Sequence, residues 1–329
     1  ADRSRCRVRE PGTQARARRW CRRRHRQSHV GAPAARGLAN VLENTLSSAQ
    51  IRMPWSTGAV RNAARLPGGF EAQVDPAWQP WIDLLDVALE EASGHAWRSA
   101  VSIRTEHRDG TPVMHGAILR IDAQRAKRLL RRLAELAGVR ASGEIDARAA
   151  IRAAVSRDER ALAELAERCD ASIDAMAVVA QVAAMPLLMS VASTLEPSAA
   201  AVWQRGYCPV CGAWPSLAEI RGIERERRLR CGCCSADWPL PLLHCAFCDE
   251  LDHGKLGALQ PEGEEQLRRA ETCETCHGYL KAVMTYGALS VRALVLLDLT
   301  TIPLDLVAQQ RGYARPARPG WAPAIEVAS

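Results

Sequence analysis

Phenylalanine and tyrosine are nearly missing from this 329-residue chain, at two and four residues, and aromatics make up only 5% of it despite nine tryptophans. A β-sandwich core of aromatic and β-branched side chains is therefore disfavoured. The apolar content of 47% leans on Ala, Leu and Val and favours helices. Common enzyme signatures are lacking too: the chain has no glycine-rich phosphate loop, no G-x-S-x-G elbow and no H-E-x-x-H. Positive charge is absent where a nucleic-acid binder would need it. The net charge is +7, but residues 1–36 hold twelve Arg against Asp2 and Glu10, so the remaining residues, 32 basic and 35 acidic, are mildly negative.

That Arg-rich start, residues 1–37, reads as a disordered tail rather than a nucleic-acid arm, and its Cys6 and Cys21 are assigned no role. It contains paired arginines, yet the stretch after it is interrupted by Asn40, Glu43 and Asn44, so no cleaved signal peptide is expected. An irregular linker is expected over 38–74. Residues 175–195 carry no charge and approach bilayer-spanning length. Their small side chains, with Gln181 and Pro186 inside, favour two buried helices broken near the proline, and no membrane span.

A helical domain is expected over 75–200. Asp75 followed by Pro76 offers an N-cap with proline at the first helical position, and Ile82, Leu85 and Leu89 follow at helical spacing. Further helices are predicted near 122–137, with Leu129, Leu130, Leu133 and Leu136 as the apolar stripe, then 145–155 and 157–174. Cys169 reads as a small buried apolar residue on the last of these. A final helix is expected over 291–310 and a flexible end over 316–329.

From Trp203 onward the character changes, with Cys, Gly, Pro and Trp crowded together. Eight of the twelve cysteines form four C-x-x-C pairs: Cys208/Cys211, Cys231/Cys234, Cys245/Cys248 and Cys273/Cys276. Such a knuckle converges two thiolates on one metal, and two knuckles complete a tetrahedron with metal–sulfur distances of about 2.3 Å. Intervals of 19 and 24 residues within the first two and last two pairs make two consecutive rubredoxin-like or zinc-ribbon modules the simplest arrangement, with the first module and the start of the second over 201–250, and the second module and the C-terminal helix over 251–315. Joining the second and third pairs is the alternative, although only ten residues separate them. Pro209 fixes the first knuckle's turn, and Gly212 allows a positive φ after it. Cys233, between two proposed ligands, is expected to point away from the metal, while His244, His253 and His277 read as surface or supporting residues. Disulfides and thioredoxin-type catalysis fit less well. Spacing does not choose between iron and zinc. A four-thiolate site leaves no open coordination position, so a binding protein, not an enzyme, is the favoured class.

The string from Arg205 through Cys208, Cys211 and Gly212 to Pro215 resembles the CPVCGxxP signature of the formate dehydrogenase accessory protein FdhE family. The segments around Cys231 to Trp238, His244 to Cys248 and Glu271 to Lys281 resemble that family's later knuckles, and Gly312-Tyr313-Ala314-Arg315 its close. The likeness covers about 205–315. It implies an α+β protein: a helical N-terminal domain, two rubredoxin-like four-cysteine modules and a C-terminal helix. It further implies a cytoplasmic assembly factor that binds the formate dehydrogenase catalytic subunit before twin-arginine export and carries two metal ions, iron or zinc. Two rivals remain. One is a zinc-ribbon nucleic-acid binder using Arg225, Arg227, Arg228 and Arg230, although alternation with Glu224 and Glu226 reads as a strand's solvated face. The other is a rubredoxin-like redox or iron sensor.

Overall fold

The structure, a computed structural model, describes residues 64–66, 70–72, 74–94, 97, 101–102, 110–139, 143–194, 202–261 and 267–328. Contacts divide the chain into two units, Ala1–Met53 and Pro54–Ser329, and every described residue belongs to the second. The reading of 1–37 as a tail lies outside the described residues.

Aspartates start the helices, as their local chemistry dictates. Asp75 accepts from Ala77 N at 2.9 Å and opens a 3-10 turn, Pro76–Trp78, that leads into α1, Gln79–Ser93. Asp122 caps α2, Ala123–Leu136, through Gln124 N and Arg125 N. Asp146 and Asp158 do the same for α3, Ala147–Ser156, and α4, Glu159–Arg168. Each cap satisfies amides that the first turn leaves free, contributing about 1 kcal/mol. On α2, Leu129, Leu130 and Leu133 are buried while Leu136 is exposed. The helix expected over 157–174 is shorter, because Asp170 adopts a left-handed conformation just beyond α4.

Helix α5, Ile173–Ala192, is the hub against which α1, α2, α3 and α4 pack. The break expected at Pro186 does not occur. The proline costs the helix one hydrogen bond, about 3 kcal/mol in an isolated helix, but burial around it from Met176 to Val191 holds the helix continuous. Among the described residues α5 is the one helix long and apolar enough to cross a membrane, and 61% of its apolar window is buried within the protein.

Strands appear where none was expected. β1, Ala64–Leu66, and β2, Phe70–Ala72, pair antiparallel within the presumed linker, on either side of Pro67-Gly68-Gly69. β3, Val101–Ser102, and β4, Ile118–Arg120, lie inside the presumed helical region. β11, Glu326–Ala328, pairs parallel with β4, so residues 316–328 are not a loose end. These strands are too short for period-two alternation to be read from sequence.

The cysteine-rich part forms one six-stranded sheet in the order β7-β6-β5-β10-β9-β8. Its strands are β5, Leu217–Arg221; β6, Glu226–Arg230; β7, Asp237–Pro239; β8, Leu256–Leu259; β9, Arg268–Cys273; and β10, Tyr279–Thr285. Neighbours are antiparallel except β5 and β10, which run parallel with Ala282 beside Ala218. Residues paired across a ladder share a face. Trp238, Leu229, Ala218 and Ala282 therefore line one face and join the core of the helical bundle. Leu217 and Val283 line the other, against Leu289, Ala293, Leu294 and Leu297.

The last four of these apolar partners lie on or just before α6, Val291–Thr300. A second helix, α7, Ile302–Gln310, follows. The single helix expected over 291–310 is divided at Thr301, two residues before Pro303, which has no N–H to continue the ladder. Beneath α7, the buried Lys281 ammonium meets Asp298 at 2.8 Å and Asp305 at 2.6 Å.

The arginines of β6 do not form a solvated face. Arg230 pairs with the fully buried Glu219. Arg227 meets Glu271 at 2.7 Å, and Arg228 meets Asp237. Acids on β5, β7 and β9 supply the partners, a cross-strand arrangement that alternation along one strand does not display.

Candidate metal centres

One backbone device is repeated four times. The first cysteine of each knuckle donates its N–H to a carbonyl five residues on: Cys208 to Ala213, Cys231 to Ala236, Cys245 to Glu250 and Cys273 to Gly278, at 2.8 to 3.0 Å. The residue after each second cysteine is left-handed: Gly212, Ser235, Asp249 and His277. Only at Gly212 is glycine required on a second count, because an added Cβ would lie 2.7 Å from the Trp321 backbone. The device turns both thiols of a knuckle to the same side.

The eight cysteines assemble as two groups of four, the first two knuckles forming one and the last two the other, with all sulfurs of a group within 4.8 Å of one another. Sulfurs approach one another across knuckles, Cys208 to Cys234 at 3.4 Å and Cys211 to Cys231 at 3.5 Å in centre 1. In centre 2, Cys245 lies 3.7 Å from Cys276, and Cys248 lies 3.7 Å from Cys273. Disulfides need about 2.05 Å, and none of these eight cysteines forms one. A tetrahedron with metal–sulfur bonds of about 2.3 Å has sulfur–sulfur edges of roughly 3.8 Å, so each group could hold one metal ion.

Centre 1 is built into the main core, with all four of its cysteines fully buried. Val113 N and Met114 N, in the segment between β3 and β4, donate to Pro209 O and Val210 O of the first knuckle at 2.8 and 2.9 Å. Within that knuckle, Val210 N points at Cys208 Sγ from 3.4 Å. Arg157, left-handed at the end of α3, places Nη2 3.5 Å from Cys211 Sγ and Nη1 2.8 Å from Trp321 O. Burial opposes its charge, but the Cys211, Cys233 and Cys231 sulfurs outweigh that and hold the guanidinium more firmly protonated than usual. Hydrogen bonds from Cys208 and Cys231 draw the Cys211 thiol well below its ordinary value, making it the thiolate that faces Arg157.

Centre 2 lies nearer the surface. Cys245 and Cys273 are buried, but Cys248 and Cys276 are exposed. The Cys276 hydrogen bond draws Cys245 down to about 5, against burial, and Phe247 N assists from 3.4 Å. Glu250 braces the site: it accepts from Thr275 Oγ1 at 2.5 Å and from Leu251 N and Asp252 N at 3.1 and 3.0 Å, joining the third knuckle to the fourth.

The remaining candidates stand outside both groups. Cys233 Sγ lies 3.5 Å from Gln181 Nε2 of α5, and contact with Cys211 pushes its thiol up to about 12. His244 bonds Asp249 at 3.1 Å, His253 lies in a 3-10 turn, and His277 occupies the left-handed position of the fourth knuckle. Arg157 was not legible as a site residue, since nothing adjacent to it in sequence marks it as facing a sulfur.

Residues 243–319 match the family described as FdhE, C-terminal domain. Curated proteins named Protein FdhE are similar to this chain over 114 residues: that of Escherichia coli O127:H6 at 37% identity and that of Escherichia fergusonii at 36%. The match covers 34% of this chain and 36% of each relative, so the chain spans about a third of the length of the curated relatives it matches. The crystal structure of the FdhE protein from Pseudomonas aeruginosa aligns over 76% of this chain and 98% of its own, at 22% identity and a TM-score of 0.40. Over the part that builds centre 2 and the C-terminal helices, this chain is similar to the FdhE proteins, as its knuckle sequences imply.

Proposed function

We propose that this chain is an accessory factor for formate dehydrogenase, holding one metal ion at each four-cysteine centre and binding the catalytic subunit in the cytoplasm before its export. The observation that carries the reading is the similarity of residues 243–319 to the FdhE C-terminal domain, joined to two complete four-sulfur groups. The ligands are Cys208, Cys211, Cys231 and Cys234 at one centre and Cys245, Cys248, Cys273 and Cys276 at the other. A bound ion of iron or zinc would cross-link two knuckles, and iron would add one-electron chemistry.

What the chain's own residues do follows from geometry. Four cysteines close each coordination sphere, leaving no position for a substrate, so recognition of a protein is the better use. Of the arginines that the nucleic-acid reading would use, Arg227, Arg228 and Arg230 are paired with acids of other strands, which counts against it. A client exported after folding needs a partner while its cofactor is inserted, and the resemblance implies that role. The test is capture by tagged chain of the cytoplasmic catalytic subunit, with metal measured in the same preparation. Undiminished formate dehydrogenase activity in a deletion strain without a paralogue would refute the proposal.

A further inference from the structure

The two sulfur groups have the same composition and different surroundings. At centre 1 every cysteine is fully buried, the sulfurs belong to the core shared with α1 to α5, and Arg157 supplies a cation. Reaching those sulfurs requires opening the core. At centre 2 two of four cysteines are exposed. A cleft of about 280 Å³ also reaches its inner pair, lined by Cys245 and Cys273 together with Phe247, Leu280, Arg227 and Arg269. The site is thus approached from two sides. Among the described residues no lysine or arginine is hydrogen-bonded to its sulfurs, and the nearby Lys255 is drawn to Glu250 instead.

We propose that centre 2 is the exchangeable site, where the chain gains or yields its metal to a small anionic ligand, while centre 1 is permanent. The inference rests on the reading that both groups hold metal. Exchange would be a ligand substitution in which an incoming donor replaces a Cys248 or Cys276 thiolate, and the released thiolate would be protonated by solvent. No electron moves. The step requires only that the incoming ligand touch the metal while a cysteine swings outward, which exposed Cys248 and Cys276 permit. At centre 1 the same step waits on sub-global opening, a much rarer event. Arg227 and Arg269, which share the acid Glu271, are the cations that line the cleft and would meet an anionic donor entering it.

The experiment uses the full chain loaded with zinc and challenged with EDTA in the presence of N-ethylmaleimide. Native mass spectrometry follows zinc, and peptide mapping locates the label. The expected result is two phases separated by at least about tenfold in rate, the first releasing one zinc and labelling Cys245, Cys248, Cys273 and Cys276. Release of both zinc ions in one phase, or first labelling of Cys208, Cys211, Cys231 and Cys234, overturns the inference. A chain that binds no zinc at either group instead sinks the two-metal reading on which it rests. In a second measurement, Cys208→Ser/Cys211→Ser protein that still folds should release its remaining zinc at the fast rate, and slow release there also overturns the inference.

Discussion

Arg157 and Cys211 lie 54 positions apart in sequence, and a guanidinium nitrogen of the first sits 3.5 Å from the sulfur of the second. The same guanidinium holds Trp321 O, so one side chain fastens the helical bundle, the first knuckle and the C-terminal segment together.

Removing that cation should weaken centre 1 selectively. Arg157→Ala should lose metal from centre 1 first and lower stability by about 1–3 kcal/mol, the usual scale for hydrogen bonds to charged groups. Arg157→Gly separates charge from strain, because glycine relieves the left-handed backbone, worth about 1 kcal/mol, while still removing the cation. If the glycine variant retained metal as well as the parent, the electrostatic account would fail. Metal retention during dialysis against a chelator is the measurement.

Close backbone contact makes a second prediction. A Cβ on Gly206 would lie 1.6 Å from Ala246 O, between the first and third knuckles, so Gly206→Ala should cost more than about 3 kcal/mol. Gly222 is left-handed but open, with nothing within 4 Å, and its alanine variant should cost only about 1 kcal/mol. Denaturant melts of the metal-loaded chain should preserve that order.

Acid should loosen centre 2 through Glu250. Its carboxyl is held down to about 2, first by the Thr275 hydroxyl and then by Asp252 N–H. A depressed folded pKa stabilises above the unfolded value near 4.5, and the contribution disappears as pH falls toward 2. Glu250→Gln should therefore be less stable than the parent at pH 7, with the difference shrinking across that window. Urea midpoints of the metal-free chain at several pH values would show it, and a constant difference would not fit.

The two centres should also fail differently. Cys208→Ser/Cys211→Ser strikes sulfurs buried within the bundle's core and should reduce helical circular dichroism as well as metal content. Cys245→Ser/Cys248→Ser should remove one metal while leaving most helical signal, because that site is half exposed. Equal loss of helix in both variants would contradict the division.

Local chemistry was legible in the sequence, and distant packing was not. The four C-x-x-C pairs and the capping residue Asp75 act within five residues of themselves, so spacing was enough to find them, whereas the caps at Asp122, Asp146 and Asp158 emerge only with the helix starts. Pro186 misled because a local penalty was overruled by burial contributed from the surrounding helices. Arg227 and Arg230 looked solvated because their acids, Glu271 and Glu219, come from other strands. Trp321 and β11 carried no local signal, since their partners Gly212 and β4 lie far upstream.

The parallel seam between β5 and β10 has a consequence for how the chain is made. The first ribbon, β5 to β7, emerges from the ribosome with the inner edge of β5 unpaired, and the strand that covers it arrives only after the third and fourth knuckles have been synthesised. An uncovered edge invites pairing with another chain. Until Tyr279–Thr285 docks, the nascent protein is most exposed to association with its own copies. A truncated product ending after the second knuckle should therefore aggregate even with centre 1 filled.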